Sequence, residues 1–358
     1  MRVTHFLFAV LLLSSPLARG DPWQFEYLLM PSAQVVGTFD RQAPFTQFYD
    51  ELVAADNLFT VQRGPFKLFG EYYLSDHEGD LERLQLGWQL SSDTVVWMGR
   101  YHQPSSEWNH EHHHGQYLST TITRPAAEEW EDLGGILPQH FTGILVESNH
   151  AGPNGWYLRT AAAGGLAPQL TSGGLEPFDL VHPDHNRRQG GYQARASLHP
   201  SEFADTGFGV LAASDDIAVV SLPTTPAALG LEHVDLTLLG VFGTYATPSW
   251  KIFATYYYVG TELHYLDRLP RNHFSVGYLQ AEKRLGHEFT AFGRIETSIG
   301  AADSPYLHLF PEAGRDKYIG GLRWDFMQRQ ALTLQLGKTY TLQGHFADVR
   351  FQWCAALF

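Results

Sequence analysis

The chain of 358 residues is poor in cysteine, in extended apolar stretches and in basic charge, and each shortage removes a class of protein. Its one cysteine, Cys354, has no partner for an internal disulfide and nothing around it suggests a thiol mechanism, so it reads as a small packed residue. Past the first 20 residues no stretch of 18 apolar residues occurs, and the mean hydropathy is -0.21, so helical membrane spans are excluded. Lys+Arg number 24 against 38 Asp+Glu, a formal net charge of -14, which argues against nucleic acid as a partner. There is also no Gly-rich phosphate loop, no cysteine cluster and no His-Glu-x-x-His helix.

What is present begins with a secretory leader. Arg2 supplies a positive start, Phe6 to Leu13 is apolar, and Ala18-Arg19-Gly20 offers small residues before a cut at Asp21. Residues 1–20 are therefore expected to be a signal peptide and 21–358 the exported chain. The leader carries Arg2 and Arg19 away, leaving the mature chain more acidic still.

The mature chain alternates apolar and polar residues one for one, the period of a strand with one greasy and one wet face. Leu84, Leu86, Trp88 and Leu90 share a face opposite Arg83, Gln85 and Gln89. Tyr318, Leu322, Trp324 and Phe326 stand against Arg323 and Asp325; Phe66, Leu68, Tyr72 and Leu74 against Lys67 and Glu71; Tyr192, Ala194, Ala196 and Leu198 against Gln193, Arg195 and His199. Charged residues on the second face point to an aqueous interior, and low mean hydropathy is what such a barrel has. Phe253 to Gly260 and Phe141 to Glu147 are apolar on both faces and carry no phase. Aromatic content of 14%, with 17 Tyr and 23 Phe, suits girdles at the two membrane interfaces.

Connection lengths supply an independent test, since transmembrane barrels alternate short inner turns with longer outer loops. Short turns are expected near Gln62 to Pro65, Ser91 to Asp93, His150 to Asn154, Pro200 to Phe203, Thr247 to Ser249, Leu285 to His287 and Met327 to Gln330. Long connections rich in Pro, Gly, Asp and Asn are Leu166 to Gln189, Asp215 to Val234, Thr261 to Arg271 and Ala301 to Asp316. The alternation holds if Gln103 to His140 is one long outer connection. The expected fold is all-β: a single transmembrane antiparallel barrel of about 16 strands, with 14 and 18 the neighbouring even counts and the first strand near Gln34 to Asp40.

With Gln103 to His140 third among the outer loops, and with Gly99-Arg100, Pro104, Arg124-Pro125 and Gly143 in that order, the chain resembles Gram-negative outer-membrane porins. The resemblance covers the layout of the mature chain and implies a third loop folded into the lumen, diffusion of small hydrophilic solutes or ions, an outer-membrane setting among lipid and lipopolysaccharide, and a homotrimer. The C-terminus departs from the pattern: Arg350 and Gln352 share the phase of Phe358, while Val349, Phe351, Trp353 and Leu357 lie out of it. A bulge, or an imperfect assembly signal, is expected there.

Overlapping the start of the long connection, 100–114 holds five of the 18 histidines. His110, His112 and His114, with Glu111 or Glu107 as an oxygen donor, could bind Zn²⁺, Cu²⁺ or Ni²⁺ through neutral imidazoles. The plainer reading makes them a polar lining that titrates between about pH 5 and 8. No cofactor is required; a divalent transition metal is the alternative, and with it a metal-binding or metal-selective channel or receptor whose outer loops include His182 and His185. Further on, Glu128, Glu129, Glu131 and Asp132 surround Trp130, and Arg83, Arg100, Arg195 and Arg323 are placed to face them across the lumen as a transverse field. Alternatively these charges pair off and hold the loop to the wall. The residues expected to control passage are these, with His102 and His113. An enzyme is not expected: Glu147-Ser148-Asn149-His150 approaches the signature of barrel lipases, but position 146 is valine and the segment falls at a short turn. Roughly a dozen residues before the first strand leave no room for a plug domain.

Overall fold

The computed structural model describes residues 22–42, 52–77, 79–112, 116–128, 137–171, 174–181, 183, 188–221, 228–310 and 312–358. Eighteen strands follow one another: Gln24–Phe39 (β1), Val53–Arg63 (β2), Phe66–Ser75 (β3), Gly79–Gln89 (β4), Thr94–His102 (β5), His140–Ala151 (β6), Tyr157–Leu166 (β7), Gln169–Thr171 (β8), Gly174–Glu176 (β9), Gly190–His199 (β10), Gly207–Val219 (β11), Leu231–Ala246 (β12), Trp250–Tyr265 (β13), Arg271–Arg284 (β14), Phe289–Ile299 (β15), Asp316–Met327 (β16), Gln330–Tyr340 (β17) and His345–Ala355 (β18). β8 and β9, three residues each, pair antiparallel in a connection, with β8 lying parallel to β11. The other sixteen are antiparallel neighbours in chain order, and β1 pairs with both β2 and β18, so the sheet closes. Closure removes every unpaired edge, the condition for strands to stand in hydrocarbon.

The alternation read from the sequence is the inside-outside alternation of the wall. Leu86 and Trp88 are 51% and 52% exposed on the outer face, while Gln85, next to Leu86, is 7% exposed. Outward aromatics collect beside the short turns: Phe66 and Trp88 lie 5.0 Å apart, and Phe289 stacks on Trp324 at 5.8 Å. All seven short turns lie where the sequence places them.

The differences lie at strand ends. β1 starts at Gln24, ten residues before the expected start, because its first half pairs with β2 (Gln24↔Gln62 to Ala33↔Val53) and its second half with β18. β11 runs on to Val219, β12 begins at Leu231 and β13 reaches Tyr265, so two long connections are shorter than Pro, Asp and Gly suggest. Backbone pairing continues through these polar residues because the neighbouring ladder supplies partners for their N–H and C=O groups. The third connection ends at Gln139, since His140 opens β6 opposite His102.

The C-terminal bulge is absent. The β1–β18 register runs unbroken from Phe39↔Ala347 to Ser32↔Cys354 and on to a bridge at Leu29↔Leu357. Phe351, Trp353 and Leu357 therefore share the outer face, and Phe358 lies one residue past it with the Arg329 guanidinium over its ring at 3.4 Å.

One row of glycines shapes the wall. Gly99 faces Gly143, Gly143 faces Gly165, and Gly165 faces Gly191 across β5, β6, β7 and β10. A Cβ on Gly143 would stand 2.2 Å from the Gly164 carbonyl oxygen, and one on Gly165 2.2 Å from that of Thr142. No side chain fits at such an approach, so only glycine serves.

Candidate functional site

Residues 103–112, 116–128 and 137–139, between β5 and β6, hydrogen-bond to strands β10 and β13–β18. Ser105 Oγ donates to Gln193 on β10 at 3.3 Å, and Arg195 on the same strand forms a short ion pair with Glu107 and a 3.5 Å contact with Glu111. Thr120 Oγ1 donates to Glu282 on β14 at 2.9 Å, and the Ile122 N–H to Gln335 Oε1 on β17 at 2.9 Å. Arg323 on β16 donates to the carbonyls of Tyr117 and Ser119, at 2.9 and 2.5 Å. Gln352 on β18 reaches Gln116 at 3.1 Å.

Two anchors hold the middle of this segment. A five-residue helix, Glu107–Glu111 (α1), is capped from outside itself: Ser106 makes no cap bond to its own helix, and Glu128 Oε2 accepts the Trp108 N–H at 2.7 Å and the Ser106 hydroxyl at 2.6 Å. The other oxygen of Glu128 accepts from Tyr257 on β13 at 2.5 Å and from Tyr278 on β14 at 3.2 Å. Glu128 is fully buried, and burial holds its carboxyl above the usual carboxylate range against these donors. The second anchor is Arg294 on β15, also buried, which pairs with Glu296 at 2.7 Å and donates to Gln280, Thr121 and the carbonyls of Thr123 and Arg124. With its guanidinium donors spent on the carboxylate and four further oxygens, its burial is tolerable.

The predicted residues divide clearly. Arg195 meets α1 directly. Arg83 pairs with Glu71 on β3, and Arg100 with Asp80 at 3.1 Å, so those two arginines bond along their own side of the wall. Glu128 faces tyrosines, not arginines. His102 and His140 lie 5.0 Å apart between ring centres, with His140 Nε2 3.1 Å from Glu82 and His102 Nε2 3.6 Å from Glu71. Glu129, Glu131, Asp132, His113, His114, His182 and His185 lie outside the described residues. Of the loop histidines, His112 stacks on Trp108 at 4.4 Å, and burial pushes its pKa down to about 4; His110 Nδ1 is 3.6 Å from Glu111. A cavity of about 100 Å³ opens between α1 and β10–β13, and Glu107, Glu111, His112, Arg195 and Lys251 line it.

Sequence reasoning missed Arg294, Tyr257 and Tyr278. Arg294 was legible, since Arg294 and Glu296 alternate with Ile295, which is 55% exposed. Tyr257 was not, because β13 is apolar on both faces.

The interior is also not uniformly wet. Trp108, Leu137, Leu170, Ile217, Val234 and Leu263 belong to one buried apolar cluster that joins the β11–β14 wall to the connections. The inner faces of β2–β5, by contrast, carry Asp56, Glu71, Glu82, Arg83 and Arg100. This is the sixteen-stranded porin fold. Among solved structures, an anion-selective porin from Comamonas acidovorans superposes with a TM-score of 0.59 at 12% identity, covering 94% of this chain and 100% of that one. OmpT, an outer membrane protein of Vibrio cholerae, gives 0.58 at 10%, covering 96% and 100%. The outer membrane channel DcaP of Acinetobacter baumannii gives 0.53 at 11%, covering 94% and 97%. No protein-family model and no curated protein matches the sequence. At these identities the likeness speaks for the barrel, not for its solute.

Proposed function

We propose that the protein is a passive diffusion channel of the outer membrane for small hydrophilic solutes or ions, and that residues 103–139 cross the lumen as its constriction. The observation carrying this reading is the hydrogen bonding of that single connection to inward-facing side chains of β10 and β13–β18 in a closed barrel. A connection lying outside the barrel could not reach Gln193, Tyr257, Glu282, Gln335 and Gln352 together.

The apolar cluster fills the β11–β14 side, so the water path is placed along β2–β6, where Arg83 is the partly exposed charge and Glu71, Arg100 and His102 beside it are buried. Wall charges bonded pairwise give a polar passage without a covalent step. The inner arginines Arg83, Arg195 and Arg323 bind carboxylates or carbonyls, so they serve first to fix the wall and the loop. Export by a cleaved leader fits this setting. A homotrimer fits the porin fold, and OmpT of Vibrio cholerae has been described in a trimer form.

The test is single-channel conductance of the purified barrel in a planar bilayer from pH 5 to 8, with and without micromolar Zn²⁺. Steady ohmic channels support the reading. Block by Zn²⁺ that is lost in His110→Ala/His112→Ala/His114→Ala favours a metal-selective constriction. Absence of conductance from a folded barrel overturns the pore.

A further inference from the structure

We infer that the outer surface of the barrel carries a divalent metal site formed by His233 and Asp235 of β12 and His264 of β13. It lies far in sequence from the histidine-rich connection and rests on different residues. Among the described residues these three form the one group whose ligating atoms all lie within 4.8 Å of one another.

The strand register creates the group. His233 stands directly opposite His264, and Asp235 opposite Glu262, so Asp235 is the diagonal neighbour of His264 on the same face. The two imidazoles stack at 3.7 Å with an 18° tilt, and His264 Nε2 is 2.8 Å from Asp235 Oδ2. All three point outward. They alternate with Val234 and Leu263, which are fully buried on the inner face, and share their rows with Leu239 and Val241 on β12 and with Tyr256 and Tyr258 on β13. Six residues separate Tyr258 from His264, roughly 20 Å of strand toward the long connections, which sets the group at the rim beyond the lipid-facing rings.

Charge calls for a cation at this spot. Asp216 on β11 faces Asp235, Asp235 faces Glu262, and Glu262 faces Arg271 on β14. Arg271 donates to Glu262 at 3.0 Å, which satisfies one carboxylate of the row. Asp216 and Asp235 remain side by side, and Asp216 Oδ1 is buried without a hydrogen-bond partner among the described residues. Like charges directly opposite each other in a ladder repel, and a single dication balances the pair.

Two imidazoles and one carboxylate suit Zn²⁺, Cu²⁺ or Ni²⁺ better than Ca²⁺ or Mg²⁺, which prefer oxygen alone. Ligands at ~2.1 Å from a shared ion stand ~3–3.5 Å apart, so binding draws the three tips inward by about an ångström. Nε2 of His264 then exchanges its contact with Asp235 for the metal. The metal would tie β12 to β13 at the rim and keep open coordination positions facing outward.

The test uses the full-length barrel in detergent, in a His110→Ala/His112→Ala/His114→Ala background that removes the loop imidazoles. Co²⁺ titration followed by visible absorption, and Zn²⁺ titration by calorimetry, should each find this site. His233→Ala and His264→Ala should each weaken binding at least about tenfold, and Asp235→Asn should weaken it too. A second measurement needs no mutation at the site: Zn²⁺ should shield His233 and His264 from diethyl pyrocarbonate, as read by mass spectrometry. Binding unchanged in both histidine variants, or no shielding of these residues at saturating Zn²⁺, would overturn the assignment. Conductance is not the readout, so this site and the pore reading fail or stand separately.

Discussion

The Tyr257 hydroxyl donates a 2.5 Å hydrogen bond to Glu128 Oε1, joining a wall strand to a residue 129 positions earlier in the β5–β6 connection. Glu128 thereby ties β13, β14 and α1 to one carboxylate.

Cutting that tie should loosen the connection while leaving the barrel closed. Glu128→Ala leaves the Tyr257 and Tyr278 hydroxyls and the Trp108 N–H with their acceptor removed, a cost of about 1–3 kcal/mol for each buried group left unpaired. The expected outcome is faster proteolysis within 103–139 and noisier single-channel current, with Glu128→Gln intermediate because one amide oxygen still accepts. Unaltered protease resistance and current in Glu128→Ala would refute the tie.

Docking of this segment should depend on pH, in a direction set by Glu128. Burial raises its pKa in the docked state above the ordinary 4.5, so the docked state binds a proton more readily than the released one. The contribution of this group to docking is therefore fully present below the ordinary pKa and is lost as pH rises through the raised one. Current noise should grow toward alkaline pH in the parent and grow less in Glu128→Gln, where Glu107, which burial pushes up to about 8, keeps part of the dependence. By contrast His112, held near pKa 4, stays neutral from pH 5 to 8, and His112→Gln should leave the pH profile of ion selectivity in that range unchanged.

Arg83 supplies a fixed positive charge to the β2–β6 side of the proposed path, beside Glu71. Arg83→Ala should shift permeability toward cations, by up to about fivefold, since a unit charge at ~4 Å in water is worth ~1 kcal/mol. Reversal potentials in a salt gradient measure this. A shift toward anions, or none, would place the ion path elsewhere.

The glycine row should tolerate no side chain. Gly143→Val and Gly165→Val each put atoms within 2.2 Å of a facing carbonyl oxygen and should abolish or slow barrel assembly. Heat-modifiable migration on gels reads this directly. Gly293→Ala serves as the control, because a Cβ there finds no atom nearer than 3.7 Å, and it should assemble like the parent.

Much of the architecture was written in local order. Alternation at period two in segments such as 82–90 and 318–326, together with the seven short turns, sufficed for strand number, wall orientation and the position of the long third connection, because lipid outside and water inside impose opposite demands on successive side chains. The same logic reached Arg83, Arg195 and Arg323 as inward-facing charges. What those charges do was decided only in three dimensions. Whether Arg195 meets Glu107 or an acid in the 128–132 stretch depends on which strands the β5–β6 connection packs against, and no pattern in the chain encodes that.

Phe253, Tyr257 and Val259 carried no phase because their inner face packs against other protein, where apolar residues are as welcome as in lipid. His233, Asp235 and His264 drew no notice in sequence because nothing but the β12–β13 register brings them to one point. The sequence by itself determined that there is a barrel and, where its strands alternate, which residues face inward, since that needs only neighbours along the strand. The tertiary structure decided which of those residues meet, since contacts between a connection and the far wall, or between facing strands, depend on closure and register that appear only when the sheet shuts.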